Sequence, residues 1–486
     1  MALHARLVAP PPEPRQVWPW HKLRCASISA SVLLGGDRRM EAETYLSTGF
    51  GIRTAIESKR RGWVRFGDLA KVWMPGRLKG IQVGADVGTP FLAATQVFDV
   101  RPIARKWLAL ARTDDAQNRF VVPGMILVTC SGSVGRPTLA YAPHENTLIS
   151  HDLLRVKAID ESQWGWLYAY LHASQVRAMC VGAHYGHIIK HLETSHLSAL
   201  PVPSVSDDIA AEFSARAGRI LALRSEAHRL TLESESRFER ALGLLRVQDW
   251  GENGFTAKAS QAFLTGRRRL EAATHNPGAA EIRRHLAANG AGFITVADAG
   301  YDVWLPTHFR RIPAQDGVPL VESSALFEVN PDIDKRIADS DFGDPHRGRV
   351  QAGWLLVARS GQIYGINGSV VLASAALADH VVSDDVIRVA PKPLSAVRAG
   401  YLSVALSHPL LGRPLVKSLA YGSSVPHIDP VDFSQLEIVR LRPSEESAVA
   451  ALAEASAKAR AEADILEREI AGDAEDLIDR FIAGRV

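Results

Sequence analysis

The sequence predicts an α+β fold built twice, as two globular units that each close with a long helix. Three observations carry this. Short apolar motifs recur in the same order about 230 residues apart, a proline-free run spans residues 206–246, and a second such run begins at Ser444 and reaches the end of the chain. In the first run Ile209, Phe213, Ala217, Ile220, Ala227, Phe238, Ala241 and Leu245 fall at steps of three and four or their sums, which puts them on one helical face. Arg224, Thr231 and Ser234 interrupt that stripe. The second stripe, Val449, Leu452, Ser456, Ala459, Ala463, Leu466, Ile470, Leu477 and Phe481, is close to a heptad seam. A helix of about 40 residues is about 60 Å long, and an apolar stripe of that length must be covered. The two helices are therefore expected to bury each other as a coiled-coil, pseudo-twofold pair, with Phe213, Ile220, Phe238, Leu452, Leu466, Ile470 and Leu477 in the seam.

Taken in order, residues 1–38 form an N-terminal extension, proline-rich at Pro10, Pro11, Pro12 and Pro14. The first unit covers 39–205 and its helix 206–246. A linker follows at 247–268, then the second unit at 269–442 and its helix at 443–486. The repeat begins at Arg39-Met40-Glu41-Ala42 and Arg269-Leu270-Glu271-Ala272, and continues with Val72-Trp73-Met74-Pro75 and Val303-Trp304-Leu305-Pro306. Next come Val97-Phe98-Asp99-Val100-Arg101-Pro102 and Leu326-Phe327-Glu328-Val329-Asn330-Pro331. An apolar strand then runs into a glycine turn, Gly124–Val128 with Ser131-Gly132 and Gly353–Val357 with Ser360-Gly361. Leu153-Leu154-Arg155-Val156 and Val386-Ile387-Arg388-Val389 supply another strand, Gly165-Trp166-Leu167 and Gly400-Tyr401-Leu402 open a helix, and Tyr185-Gly186 with His191 matches Tyr421-Gly422 with His427. The offset drifts slowly while the order holds, as loop insertions in a tandem duplication would produce. The unit is far longer than a solenoid repeat.

Composition places the chain among ordinary soluble proteins, with 47% hydrophobic residues and a net charge of +3. No run approaches the ~18 apolar residues of a membrane span, and the start lacks a signal-like apolar core, so a cytoplasmic location is expected. Cys25, Cys130 and Cys180 form no CxxC pair, which argues against a zinc ribbon or a disulfide framework. From Ser444 onward there are five Lys/Arg against eleven Asp/Glu, a net of −6, which leaves +9 on the rest. A basic body suits phosphate, whereas the acidic helix suits solvent or another protein.

The strand and glycine loop Gly124–Gly135, the strand at Leu153-Leu154-Arg155, and Tyr185-Gly186 with His191-Leu192-Glu193 leading through Leu200-Pro201-Val202-Pro203 into the long helix together resemble the specificity subunit of type I restriction-modification systems. The order, repeated twice, covers the chain from about Arg39 to its end. The resemblance implies two target recognition domains, each reading one half of a split sequence in double-stranded DNA, joined by antiparallel helices. Methyltransferase subunits, two in number, would dock on that spacer, with restriction subunits as further partners. The chain itself would be non-catalytic and need no cofactor, the methyl donor S-adenosylmethionine belonging to the methyltransferase. The second copy departs from the pattern at Glu437 and at Ser423-Ser424-Val425-Pro426.

Candidate DNA-contacting residues follow from basic and polar groups beside the repeated turns. Arg77 and Lys79 follow the first Trp-Met-Pro turn, and Arg310 and Arg311 follow the second Trp-Leu-Pro turn. Arg136 and Arg359 flank the glycine turns, and His184, Tyr185, His187 and Lys190 answer to Tyr421 and Ser423 in the other copy. Basic groups on a rigid turn suit the DNA backbone, and Arg also grips guanine. The histidines at 184, 187, 191 and 196 have a loosely metal-like spacing, but only His191 has a histidine counterpart and no cysteine joins them, so no metal is assigned. Walker, nucleophile-elbow and HExxH motifs are missing. Two rival readings are a DNA-binding scaffold of another defence assembly and an enzyme with its site near Ser131 and His187.

Overall fold

The computed structural model describes residues 28–35, 42–183, 191–245, 254–263, 269–339, 348–362, 365–378, 380–422 and 424–485. In the first half, strands β1 (Ala70–Trp73), β2 (Ile126–Thr129), β3 (Pro137–Leu139) and β4 (Leu153–Ala158) form an antiparallel sheet in the order β1-β4-β2-β3. In the second half, β5 (Tyr301–Trp304), β6 (Leu355–Ala358), β7 (Val370–Leu372) and β8 (Val386–Pro391) form the same sheet in the order β5-β8-β6-β7. Strands β2 and β6 are buried at every position because both faces are covered. Even the register recurs, with Trp73 opposite Arg155 and Trp304 opposite Arg388.

Those two arginines are fully buried and solve the same problem in the same way. Arg155 donates to the carbonyls of Ser150, Leu153 and Ile149, and Arg388 to those of Ser383, Val386 and Val382. Each guanidinium thus saturates carbonyls that the turn before the strand would otherwise leave unpaired. Burial pulls Arg155 down to about 10 and Arg388 to about 9, so both remain charged near neutrality.

Helix α1 (Trp164–His172) packs on the first sheet, and α2 (Asp207–Leu242) follows it. Ser206 caps α2, its hydroxyl accepting from the Ile209 N–H, with Asp207 and Asp208 in the first turn and Gly243 at positive φ ending it. The counterparts are α3 (Ala399–Ser407) and α4 (Pro443–Ile482), the latter started by a proline and Glu445 and Glu446. Gly165 and Gly400 let these helix pairs meet, since a Cβ would lie 2.2 Å from the Ser214 backbone in one and 2.4 Å from the Ala450 carbonyl in the other.

The two long helices lie side by side with opposed chain directions, as the pairs Arg216–Asp473, Arg224–Glu467, Thr231–Ser456 and Arg237–Glu445 require. Each helix serves both heads. Phe213, Ala217 and Ile220 at the start of α2 join the first head's core, together with Ile470, Ala474 and Phe481 from the end of α4. Phe238 and Leu242 at the end of α2 join the second head's core, together with Val449 and Ala450 from the start of α4. The three polar interruptions in the first stripe also have partners. Arg224 donates to Glu467 and Asp464, Thr231 meets Ser456, and the Ser234 hydroxyl donates to the Thr231 carbonyl.

The heads touch directly through the repeated motif itself. The Val329 N–H donates to the Phe98 carbonyl and the Val100 N–H to the Phe327 carbonyl, each at 2.7 Å. Phe98 and Phe327 are counterparts, as are Val100 and Val329, so each partner exchanges roles with its copy.

Candidate nucleic-acid interface

The first Trp-Met-Pro turn is clamped from below. Arg119, wholly buried, donates to the Gly76 carbonyl at 2.7 Å and to the Asp114 carbonyl, while the Gly76 N–H donates to the Asp115 carboxylate at 2.9 Å. The Gly76 N–H and Asn118 hold the Asp115 carboxyl below its ordinary range. Arg77 and Lys79 project from this clamped turn as exposed cations, and among the described residues neither makes an ion pair. A rigid stem with free charges costs little ordering on binding.

The second turn is anchored differently. Phe309 is buried against Leu320, Ile337 and Val381, and the Trp304 ring meets Trp354 edge-on at 5.2 Å. Arg310 is exposed beside it. Arg311 is engaged: it donates to Asp384 at 2.8 Å and Ser383 at 3.1 Å, and Asp384 also bonds His308. Burial pushes the Asp384 carboxyl up, but Arg311 and His308 outweigh it and hold it below the usual range.

The glycine turns bind the downstream histidines. Ser131 Oγ lies 3.0 Å from His191 Nδ1, and Ser360 Oγ bonds His427 Nδ1. The Ser360 hydroxyl also reaches Asp385, which pairs with Arg359 at 3.0 Å. Asp152 accepts from the Ser150 hydroxyl at 2.8 Å. This is not the arrangement of a catalytic triad, where the carboxylate orients the imidazole; here Asp385 contacts the serine and its flanking arginine. The recurrent histidine instead fastens the strand end to the glycine turn, through bridges Ser131–His191 and Ser360–His427. Gly135 is required in that turn, with φ at +80° and a Cβ position only 2.8 Å from Cys180.

Arg136 points inward to the junction between heads, over the Phe98 ring at 4.0 Å, donating to Glu328 at 2.6 Å and to the Val329 and Asn330 carbonyls. Tyr421 is half-buried under Arg269. His184, Tyr185, His187, Lys190 and Ser423 lie outside the described residues. Among the seam residues, Phe213, Ile220, Phe238, Ile470 and Leu477 are buried and Leu452 and Leu466 half-buried. Two features were missed from the sequence, the Arg119 clamp and the Arg224–Glu467 pair; the second was signalled by a charged residue in an apolar stripe facing another. Among the described residues no group of three or more His, Cys, Asp or Glu is placed to hold a metal, and no helix is long and apolar enough to cross a membrane.

No family model and no curated protein matches the chain. Solved structures do. The type I restriction-modification S subunit from M. genitalium aligns with 87% of this chain and 96% of its own at 13% identity, with a TM-score of 0.29. The HsdS subunit from Thermoanaerobacter tengcongensis aligns with 87% of this chain and 97% of its own at 12% identity and TM-score 0.24. A third structure, described as the structural basis of complex assembly and conformational transition of the type I R-M system, gives 87% and 98% coverage, 13% identity and TM-score 0.25. Along most of its length, then, this chain is similar to solved specificity subunits of type I restriction-modification systems.

Proposed function

We propose that this chain is the non-catalytic, cytoplasmic specificity subunit of a type I restriction-modification complex, with residues 39–205 and 269–442 as its two target recognition domains. The observation that supports this best is the pairing of two like heads on two antiparallel helices that enter both cores. Such a frame fixes the distance between two readers, and heads of this size on helices of about 36 to 40 residues suit half-sites about 34–36 Å apart. The heads share their strands but differ at their exposed turns, with Arg77 and Lys79 free on one and Arg310 on the other, so the two half-sites differ in sequence. The coiled-coil helices, the second of them acidic, dock two methyltransferase subunits, which bring S-adenosylmethionine, and restriction subunits join them. The chain needs no cofactor of its own.

Domain exchange tests this reading. Replacing residues 269–442 by the equivalent segment of a related subunit, followed by mapping of methylated bases, is expected to change one half of the modified sequence and leave the other half and the gap intact. A change in both halves together, or turnover by the purified chain alone that depends on Ser131, overturns it.

A further inference from the structure

Two cavities flank the junction of the heads, and they are copies of one another. The first, of about 370 Å³, is lined by Arg177, Asp332 and Glu467; the second, of about 570 Å³, by Arg413, Ile103 and Thr231. The numbering makes these counterparts: 413 − 177 and 467 − 231 are both 236, and 332 − 103 is 229, the offsets of the His191–His427 match and of the Phe98–Phe327 match. Two arginines at the first cavity hold carboxylates. Arg177 pairs with Asp332 at 3.0 Å, and Arg224, beside the cavity, pairs with Glu467 and with Asp464 at 3.2 Å.

In the second cavity both arginines persist, while the positions that match Asp332, Asp464 and Glu467 hold no carboxylate. Arg413 faces Ile103 where Arg177 faces Asp332. Arg460, the counterpart of Arg224, has His228 and Thr231 where its copy has Asp464 and Glu467. The counterpart of Asp334 is Arg105, which adds a further cation and is exposed at the rim. The Nε atoms of Arg413 and Arg460 are buried without hydrogen-bond partners, while Arg413 also donates to the Gly365 carbonyl and the Ser369 hydroxyl and feels the charge of Asp99, and Arg460 donates to the Leu372 carbonyl and feels that of Asp464, one turn along its own helix. Of the two carboxylates on the wall, Glu235 is taken by Arg101 at 2.5 Å. The other, Asp99, is pushed by burial up to about 7, against the pull of Arg105. Nearby Lys417 is lowered to about 8, chiefly by burial and further by Arg413 and Arg105. The remaining wall is apolar, from Phe327, Val370 and Val404.

Buried guanidinium groups are costly without an anion, and Arg grips phosphate bidentately. We propose that the second cavity binds a small organic phosphate, its phosphate on Arg105, Arg413 and Arg460 and its apolar body against Phe327, Val370 and Val404. A cavity of this volume suits a ligand of that size. The first cavity, where Arg177 and Arg224 already hold carboxylates, binds it more weakly.

Phenyl phosphate titrated calorimetrically into the full-length chain tests this, with inorganic phosphate and a short DNA duplex as separate arms. Saturable one-to-one binding of phenyl phosphate is expected, about tenfold tighter than inorganic phosphate because of the apolar wall. Ile103→Asp restores the carboxylate of the first cavity and should abolish binding at unchanged melting temperature. Arg105→Gln, at an exposed position, should weaken it about tenfold. Absence of saturable binding up to millimolar phenyl phosphate, or undiminished binding by Ile103→Asp, overturns the proposal. So does an Arg105→Gln variant that loses DNA affinity while keeping phenyl phosphate, which would assign these cations to DNA. The recognition function stands or falls on methylation mapping, independently of this result.

Discussion

Arg155 and Arg388 keep the same three carbonyl partners in both halves, while Arg224 and Arg460, equally matched in position, do not keep theirs. The difference lies in where the partners come from. Arg155 and Arg388 are satisfied by their own turns, so each copy carries arginine and partner together. Arg224 of one half is satisfied by Glu467 of the other. A contact across a twofold occurs twice, and in two identical chains both occurrences must share one sequence. Fused into one chain, they become two independent contacts: one has kept its buried ion pair, and its twin holds Thr231 and His228 instead. Divergence in this molecule therefore reaches the place where the halves meet.

The largest way to test that contrast is to delete the partner on the side that still has one. Glu467→Ala leaves the Arg224 guanidinium, 1% exposed, without its main counter-charge, and a broken buried pair costs about 3–5 kcal/mol. Arg460→Met removes a charge that makes no ion pair within 4 Å among the described residues, Asp464 acting on it only from farther off, and is expected to lie within about 1 kcal/mol of the parent or above it. Denaturant midpoints for the two variants decide the matter. Equal losses would mean that the twins are energetically alike and the argument from lost partners is wrong.

A smaller effect comes from two histidines whose segments pack against the first long helix, one in each head. His144 accepts the Tyr141 N–H at Nδ1 and faces the Val97 carbonyl with Nε2, and His408 accepts the Leu410 and Leu411 N–H groups at Nδ1. Both rings are neutral, because a proton on Nδ1 would face an N–H donor. Burial lowers each to about 4, helped at His144 by His228 and Arg224 and at His408 by Arg101. Above the ordinary value of 6.5 neither state binds the proton, so stability is unaffected there. As pH falls from 6.5 towards 4 the unfolded chain takes up protons that the folded chain refuses, and each histidine costs about 1.4 kcal/mol per pH unit. Melting temperature is expected to fall across that window, and His408→Asn, which keeps an acceptor near Nδ1, should flatten the slope. A variant as steep as the parent would remove His408 from the account.

The repeat made much of the fold legible. The duplication, the repeated strands and both long helices follow from motifs that return at a steady offset, since the strands are apolar and short and the helices carry long stripes. What the sequence did not reveal depends on three-dimensional pairing. Arg136 reads as a turn-side cation, yet the glycine turn aims it at Phe98 and Glu328 across the junction. Arg224 reads as a break in a stripe because its partner lies 243 residues away. Helices that begin on one head and end in the other also exceed what periodicity tells, because a stripe records that a face is covered and not by what.

The finest comparison is between the exposed turns. Arg77 and Lys79 stand free on a turn clamped by Arg119, whereas on the second turn only Arg310 is free, Arg311 being held by Asp384. If both turns lie along the DNA backbone, each free cation neutralises about one phosphate and contributes about 0.9 to the slope of log affinity against log salt. Arg77→Ala with Lys79→Ala should lower that slope by about two, and Arg310→Ala by about one. Arg311→Ala should leave the slope nearly unchanged while loosening the turn, because its charge is already spent on Asp384. The methylated sequence tells backbone contact from base reading: a backbone role weakens modification at every site alike, whereas an arginine bidentate to guanine relaxes one position in one half-site and costs about 1–3 kcal/mol there. Salt titrations of DNA binding by the assembled complex, with methylation mapping of the same variants, measure both quantities. An Arg311→Ala slope change as large as that of Arg310→Ala would show that Asp384 releases its arginine when DNA arrives, and the two turns would then present equal charge despite their different anchoring.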